Sequence, residues 1–336
     1  MARAGELAGF ILFRRNVGDR TPVQIGEQNA LLHSLAPDAV PLWVSLDQEG
    51  GRVARLGPPV VKLPPMRVLG DIDDPVLTQD AASLLGRQLG ALGFNLDFAP
   101  VLDIDTNPGN PVIGDRSFSA QPAGVIRHAR AFAAGLAEAG IASCGKHFPG
   151  HGDTVTDSHL TLPRLPHDRA RLTQVELVPF ASLAAELPCI MTAHVLFELF
   201  DSALPATLSP AIVTGLLRTE LDFRGLIFSD DLHMKAVCET YGVPEAACLA
   251  IAAGCDQVLV CQSEADVFSA HEALIKRAES DARFAERLHV AAEHGRHHRS
   301  RYPARAHAGD AASLMQQLAE THSTALEERI RTALRP

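Results

Sequence analysis

Residues 145–159 read Gly-Lys-His-Phe-Pro-Gly-His-Gly-Asp-Thr-Val-Thr-Asp-Ser-His, and no other window of the chain sets so many titratable side chains between glycines. Lys146, His147, His151, Asp153, Asp157 and His159 fall in one loop. Gly150 and Gly152 permit backbone angles that other residues avoid, and Pro149 stiffens the bend. Asp157 and His159 form a D-x-H pair. A carboxylate that holds an imidazole raises its basicity and fixes its tautomer, so such a histidine can give or take a proton near neutral pH. The plainer alternative is a histidine hydrogen-bonded in a loop. Asp230 ends the apolar run of Gly-Leu-Ile-Phe-Ser-Asp-Asp-Leu. It reads either as a nucleophile or base presented at a strand end or as a helix N-cap, with Asp231 the better structural candidate of the two.

A third polar cluster, Asp47-Gln-Glu-Gly-Gly-Arg-Val-Ala-Arg55, follows another apolar run. Two glycines turn the chain, and Arg52 and Arg55 come after them. The cluster lacks the lysine-serine ending and the G-x-G-x-x-G spacing of phosphate loops. Carboxylates and arginines together equally suit sugar hydroxyls, which need acceptors and donors at once. Asn110 to Phe118 adds Arg116. His147, His151, Asp153, Asp157 and His159 could also ligate zinc, but the H-x3-H spacing lies in a Pro/Gly loop, where the two rings share no face, and H-E-x-x-H is absent.

These residues need strand ends to hold them. The runs 9–13, 42–47, 94–100, 141–147, 189–194, 226–230 and 257–260 read as strands, separated by helical patterns such as Val125, Ile126, Ala129, Phe132 and Leu136, which stop at Gly140. Ser209-Pro210 reads as an N-cap with proline at the first helical position. Thr173 and Glu176 have capping-box spacing. Pro244 reads as opening a helix that Gly254 ends. Strand, helix, strand, repeated, means a parallel sheet: an open doubly wound one or a closed (β/α)8 barrel. Asp47, Asp103 with Asp105, Lys146 with His147, His194 and Asp230 all fall at or just after the C-terminal end of a different strand run. That distribution favours the barrel rim over a single switch point. Only seven strands are counted where a barrel wants eight, so either the first strand is absent or the chain starts later than its relatives do. The expected organisation is a (β/α) barrel over 1–262 and a helical extension over 263–336 packed on it. Residues 289–307, with His289, His294, His297, His298 and His307 among arginines, read as a solvated connector within that extension, against the alternative of a metal tract.

Composition narrows the function classes. The chain has 336 residues, 46% of them hydrophobic, and a net charge of −10, which disfavours a nucleic-acid partner. Six cysteines without C-x-x-C spacing suggest buried thiols in a reducing compartment. No apolar run approaches the ~20 residues of a membrane helix, and none reads as a signal peptide, so the expected location is cytoplasmic, with no membrane partner.

Together the segments resemble bacterial β-N-acetylhexosaminidases of glycoside hydrolase family 3. Lys146-His-Phe-Pro-Gly-His-Gly-Asp-Thr154 followed by Asp157-Ser-His159, Asp47-Gln-Glu-Gly-Gly-Arg-Val53, Gly114-Asp-Arg-Ser-Phe118 and Phe228-Ser-Asp-Asp-Leu232 match the family's motifs in the family's order, and the likeness runs from about Gly9 to Val260. The resemblance implies a metal-free, cofactor-free exo-acting enzyme with a (β/α)8-type domain and a retaining mechanism. It implies Asp230 as nucleophile, His159 as acid/base with Asp157 its dyad partner, and Asp47, Arg55, Arg116, Lys146 and His147 as sugar-holding residues. The implied partner is a small carbohydrate, such as a muropeptide of cell-wall recycling, acted on by a monomer. A glycoside phosphorylase and a non-catalytic sugar-binding protein are the alternatives. His233 departs from the pattern, standing where a small residue is common.

Overall fold

The computed structural model describes residues 1–37, 40–158, 160–303, 311–321 and 324–333. His159 and His307 lie outside the described residues.

Seven strands form one parallel sheet: β1 (Gly9–Leu12), β2 (Trp43–Leu46), β3 (Leu96–Asp97), β4 (Ala142–Phe148), β5 (Cys189–Thr192), β6 (Leu226–Asp231) and β7 (Gln257–Leu259). Their spatial order is their chain order. A doubly wound sheet reverses direction at a switch point, so this order excludes it. The register steps Gly9 to Trp43, Ser45 to Leu96, Leu96 to Ala142, Cys144 to Cys189, Cys189 to Leu226 and Phe228 to Gln257.

The sheet curls on itself. Side chains alternate across a strand, and one set from every strand meets in a single buried cluster: Ile11, Trp43, Leu96 with Phe98, Ala142 with Cys144, Cys189 with Met191, Leu226 with Phe228, and Leu259. Phe98 and Phe228 come from strands three places apart, yet their rings meet edge-on at 5.3 Å. That contact requires a sheet curled far enough to bring strands that are not neighbours face to face. Arg15, just after β1, donates a hydrogen bond to the carbonyl of Cys261, just after β7. The first and last strands are thus drawn toward each other, although among the described residues they do not pair and no eighth strand completes the ring.

The opposite faces of the strands pack outward on helices. Val44 and Leu46 share a core with Leu77, Leu84 and Leu85 of α2 (Pro75–Ala91) and with Phe132 and Leu136 of α3 (Pro122–Glu138), as does Ile25 of α1 (Pro22–His33). The approach of α3 to α2 is close enough that a Cβ on Gly135 would stand 2.4 Å from the carbonyl oxygen of Gln79. α4 (Lys235–Ala253) bends at Gly242, where φ is 68°, so Pro244 sits in the first turn of its second segment. The helix after Ser209-Pro210 opens where expected, with Ser209 extended, Pro210 at helical angles and the Val213 N–H bonded to the Ser209 carbonyl, but neither expected capping side chain caps. The Ser209 hydroxyl donates to Asp201, and Thr173 lies inside the helix Arg169–Gln174, which Asp168 caps. Glu176 instead accepts from Arg171 with both carboxylate oxygens, from Nη2 at 2.8 Å and Nε at 3.3 Å.

Residues 289–300 are not a solvated connector. They belong to α6 (Ala282–Ser300), which follows α5 (Glu264–Ser280), and Gly295, His298 and Arg299 are buried. Buried Asp256 at the head of β7 receives Arg218 and Arg287 (3.0 Å) and lies 3.1 Å from His294. Arg299 donates to the carbonyl of Pro41, at the entrance to β2. Tyr302 then closes the N-terminal end of the barrel, its ring 5.7 Å from Trp43. The helices Ala311–Thr321 and Thr324–Ala333 contact α1 and α2. Among the described residues no helix is long and apolar enough to cross a membrane.

Candidate active site

The opposite end of the barrel is charged. Asp47 leaves β2 one residue after its last apolar side chain, and Gly50 (φ 120°) and Gly51 (φ 55°) fold the following segment back. The Gln48 side chain holds that fold, accepting from the backbone N–H of Arg55 (2.7 Å) and of Leu56 (3.0 Å). Arg55 thereby reaches Asp47 at 2.9 Å. From β4, the Lys146 ammonium sits 2.8 Å from Asp47 and 2.7 Å from Glu49. Glu49 is gripped bidentately by Arg116, at 2.7 and 2.9 Å. The result is a chain of alternating charge, Arg55, Asp47, Lys146, Glu49, Arg116, with Lys146 2% and Glu49 1% exposed.

Arg116 passes on to His147, 3.5 Å away, and His147 Nδ1 lies 2.6 Å from Asp103, beyond β3. The other Asp103 oxygen accepts from the backbone N–H of His151 at 2.6 Å. Four of the five expected sugar-holding residues, Asp47, Arg55, Lys146 and Arg116, therefore share one ionic network, and His147 adjoins it. Burial alone would push these charges toward neutrality, yet each partner overrules it. Lys146 and Arg55 hold the Asp47 carboxyl low, Arg116 and Lys146 hold Glu49 low, His147 holds Asp103 low, and Asp47 and Glu49 hold the Lys146 ammonium high. Asp97 is different. It lies fully buried behind Gln48 with one oxygen unpartnered, and burial pushes it up to about 7.

The loop after β4 is seated on neighbouring segments. Asn110 donates to the carbonyls of His151 (2.9 Å) and Gly152 (3.1 Å), and Asp153 accepts from Thr106 and stands 2.8 Å from His167. Gly152 lies so close to the Ile104 carbonyl that an added Cβ would overlap it at 1.7 Å. The His151 ring is bound on both nitrogens, to Thr154 and to Ser158, each at 2.9 Å. The Asp157 carbonyl accepts from Leu160 (2.9 Å) and Thr161 (3.0 Å). Thus His147, His151, Asp153 and Asp157 each have hydrogen-bonding partners, and among the described residues no three His, Cys, Asp or Glu side chains converge to hold a metal.

Asp230 faces the same rim from the end of β6. Its carboxylate accepts from the Asp231 N–H at 2.8 Å, and its charge acts on both His151 and His194. His194 Nε2 donates to the Asp231 carbonyl at 3.0 Å. Asp231 has the structural role expected of it, its Oδ1 accepting from the backbone of His233 (3.1 Å) and Cys261 (3.2 Å). Arg52, by contrast, turns away to the carbonyls of Val112 (2.6 Å) and Ile113 (3.1 Å). Sequence reasoning quoted Glu49 without assigning it a role. The available signal was a second carboxylate two residues beyond a strand end, directly before the glycine turn.

Burial, and after it His147, pushes His151 down to about 4, with Asp103 and Asp230 pulling the other way. The unfolded chain binds this proton near the ordinary histidine value of about 6.5. Stability from neutral His151 is therefore complete above pH 6.5 and is lost as pH falls toward 4, by roughly 3 kcal/mol in all. His151→Asn is expected to flatten that part of the stability-versus-pH curve in urea titrations. An acid limb of unchanged slope would show that another group carries it.

Comparison with known proteins adds an independent finding. The sequence model described as "Glycosyl hydrolase family 3 N terminal domain" matches residues 1–293. A beta-hexosaminidase of Alkalilimnicola ehrlichii is 43% identical over 262 residues, spanning 76% of this chain and 74% of the relative. One from Pseudomonas aeruginosa is 39% identical over 273 residues, 81% of this chain and 80% of the relative. Among solved structures, a family 3 β-N-acetylglucosaminidase from Paenibacillus sp. superposes with a TM-score of 0.86 at 38% identity, covering 96% of this chain and 64% of that one. NagZ of Neisseria gonorrhoeae, solved with N-trifluoroacetyl-D-glucosamine, superposes at 0.78 with 31% identity, covering 98% of this chain and 92% of that one.

Proposed function

Because this chain belongs to glycosyl hydrolase family 3, we propose that it is an exo-acting, retaining β-N-acetylglucosaminidase. Its substrates are glycosides that end in N-acetylglucosamine, with muropeptides of cytoplasmic peptidoglycan recycling as the natural class, and it works as a monomer. One observation carries the reading: a carboxylate at the end of β6 faces the same rim as a buried, alternating ionic network built from the ends of β2 and β4. Such a network offers fixed acceptors and fixed donors side by side, which is what a ring of sugar hydroxyls and an acetamido group require. The hexosaminidase names of the relatives support the choice of sugar.

In this reading Asp47, Arg55, Arg116, Lys146 and His147 hold the terminal sugar. Asp230 attacks the anomeric carbon as the bond to the leaving oxygen breaks, and His159, held by Asp157, gives that oxygen its proton. The glycosyl ester on Asp230 is then cleaved by water, whose proton returns to His159. Two inversions leave the anomeric configuration retained. An imidazole in the acid/base position replaces the second carboxylate of the usual pair.

Aryl N-acetylglucosaminide, glucoside and xyloside, assayed side by side, test the proposal. Only the first is expected to turn over appreciably, at the same rate in phosphate and in phosphate-free buffer. Turnover that requires phosphate and releases a sugar 1-phosphate would make the protein a phosphorylase. No turnover of any of the three would make it a sugar-binding protein.

A further inference from the structure

We propose that His233, together with Asp266, is a positioning residue for Asp230: it clamps the turn after β6 to the turn after β7 and thereby fixes the direction of the nucleophile's carboxylate. The inference rests on the reading of Asp230 given above.

The clamp follows from hydrogen-bond directions. Two backbone N–H groups, of Cys261 and Gln262, point at His233 Nδ1, each at 3.2 Å. A nitrogen that accepts twice carries no proton, so the ring proton is on Nε2, which donates to the Asp266 carboxylate at 2.9 Å. Asp266 lies in the first turn of α5, on the helix that Ser263 caps. The His233 bond holds its carboxyl below the usual range. The ring thus ties three pieces together: the segment leaving β6, the segment leaving β7 and the start of α5.

The consequence reaches Asp230 through backbone. The Cys261 N–H is shared between His233 Nδ1 and Asp231 Oδ1. Asp231 Oδ1 also accepts from the His233 N–H, and the Leu232 N–H pairs with the Leu259 carbonyl at 2.9 Å. Held from both sides, Asp231 presents its own N–H to Asp230 Oδ1. This hydrogen bond orients the carboxylate. The His233 side chain is only 10% exposed, so water cannot readily replace the acceptor that the clamp supplies. No sugar-holding residue takes part: Asp47, Lys146 and Arg116 belong to the network across the rim.

Three substitutions separate positioning from mere support. His233→Asn keeps an acceptor near Nδ1, His233→Gln keeps reach toward Asp266 without that acceptor, and His233→Ala keeps neither. If the clamp aims the nucleophile, kcat on aryl N-acetylglucosaminide falls roughly tenfold to a hundredfold in the Ala and Gln variants. KM stays within about twofold, because the sugar network is untouched, and the Asn variant recovers most of the rate. Asp266→Asn, in the wild-type and in the His233→Ala background, should show non-additive losses, since both changes cut one connection. Loss of melting temperature with kcat unchanged in all variants would overturn the positioning role and leave the enzyme assignment standing. An inactive wild-type protein would overturn the enzyme assignment and the inference together.

Discussion

Asp230→Ala is expected to lower kcat on an aryl N-acetylglucosaminide by ~10⁴-fold or more, with the fold intact. The size follows from the role. Without the carboxylate no covalent intermediate forms, and what remains is binding and polarisation by the rim. Little structure goes with it. Among the described residues the hydrogen bond removed is the one from the Asp231 N–H at a partly exposed position, worth about 1 kcal/mol, and Asp231 keeps its own bonds to His233 and Cys261. A 2-fluoro glycosyl donor should label Asp230 in the native protein and nothing in the variant, read by mass spectrometry of peptides. A label on another carboxylate, or a variant retaining a tenth of the rate, would remove Asp230 from the reaction.

Lys146→Met should cost stability as well as substrate. The ammonium is 2% exposed and lies between Asp47 and Glu49. Met fills much of the same volume, so the expected loss comes from stranding two carboxylates, about 3–5 kcal/mol at pH 7 in urea unfolding. The pH dependence has a definite sign. The native pKa values of Asp47 and Glu49 lie below their unfolded ones. Their stabilising contribution is therefore present above about pH 4.5 and disappears as pH falls through the lowered native values. In the variant that acid limb should shrink, because the lowering cation is gone. Adding Glu49→Gln should recover part of the loss by removing one stranded charge, although Arg116 then loses its bidentate partner. A single variant within 1 kcal/mol of the parent would mean that the network contributes little to folding.

Much of this was legible in the chain because apolar runs and the polar residues that end them are adjacent in sequence. Asp47 follows Leu46 directly, Lys146 and His147 close the run from Ala142, and Asp230 follows Phe228 by two residues, so strand ends and chemistry were read together. All seven strands of the barrel sheet were found this way, whereas the two-residue strands Arg164–Leu165 and Leu196–Phe197, which pair apart from it, are too short to show a pattern. Glu49 was not assigned, because nothing local marks its burial: its partners Lys146 and Arg116 are 97 and 67 residues away. His298 and Arg299 looked like solvated residues because their alternation with arginines resembles a polar surface, whereas Asp256 and the Pro41 carbonyl draw that face of α6 inward. Thr173 had the spacing of a capping residue, yet Asp168 upstream already supplies an oxygen to the Arg171 N–H and starts the helix earlier. Asp97 sits inside a strand, where no sequence signal distinguishes a carboxyl whose titration burial pushes upward from one that is paired.

Tyr302, resting on Trp43, gives the molecule a built-in optical probe. Trp43 is the only indole in the chain, it is 2% exposed, and it lies at the end of the barrel away from Asp230. Its emission therefore reports whether the tail is docked on the base, while sugar occupying the far mouth leaves it dark to the event. A red shift without loss of turnover identifies tail release; loss of turnover at constant emission identifies a change confined to the mouth.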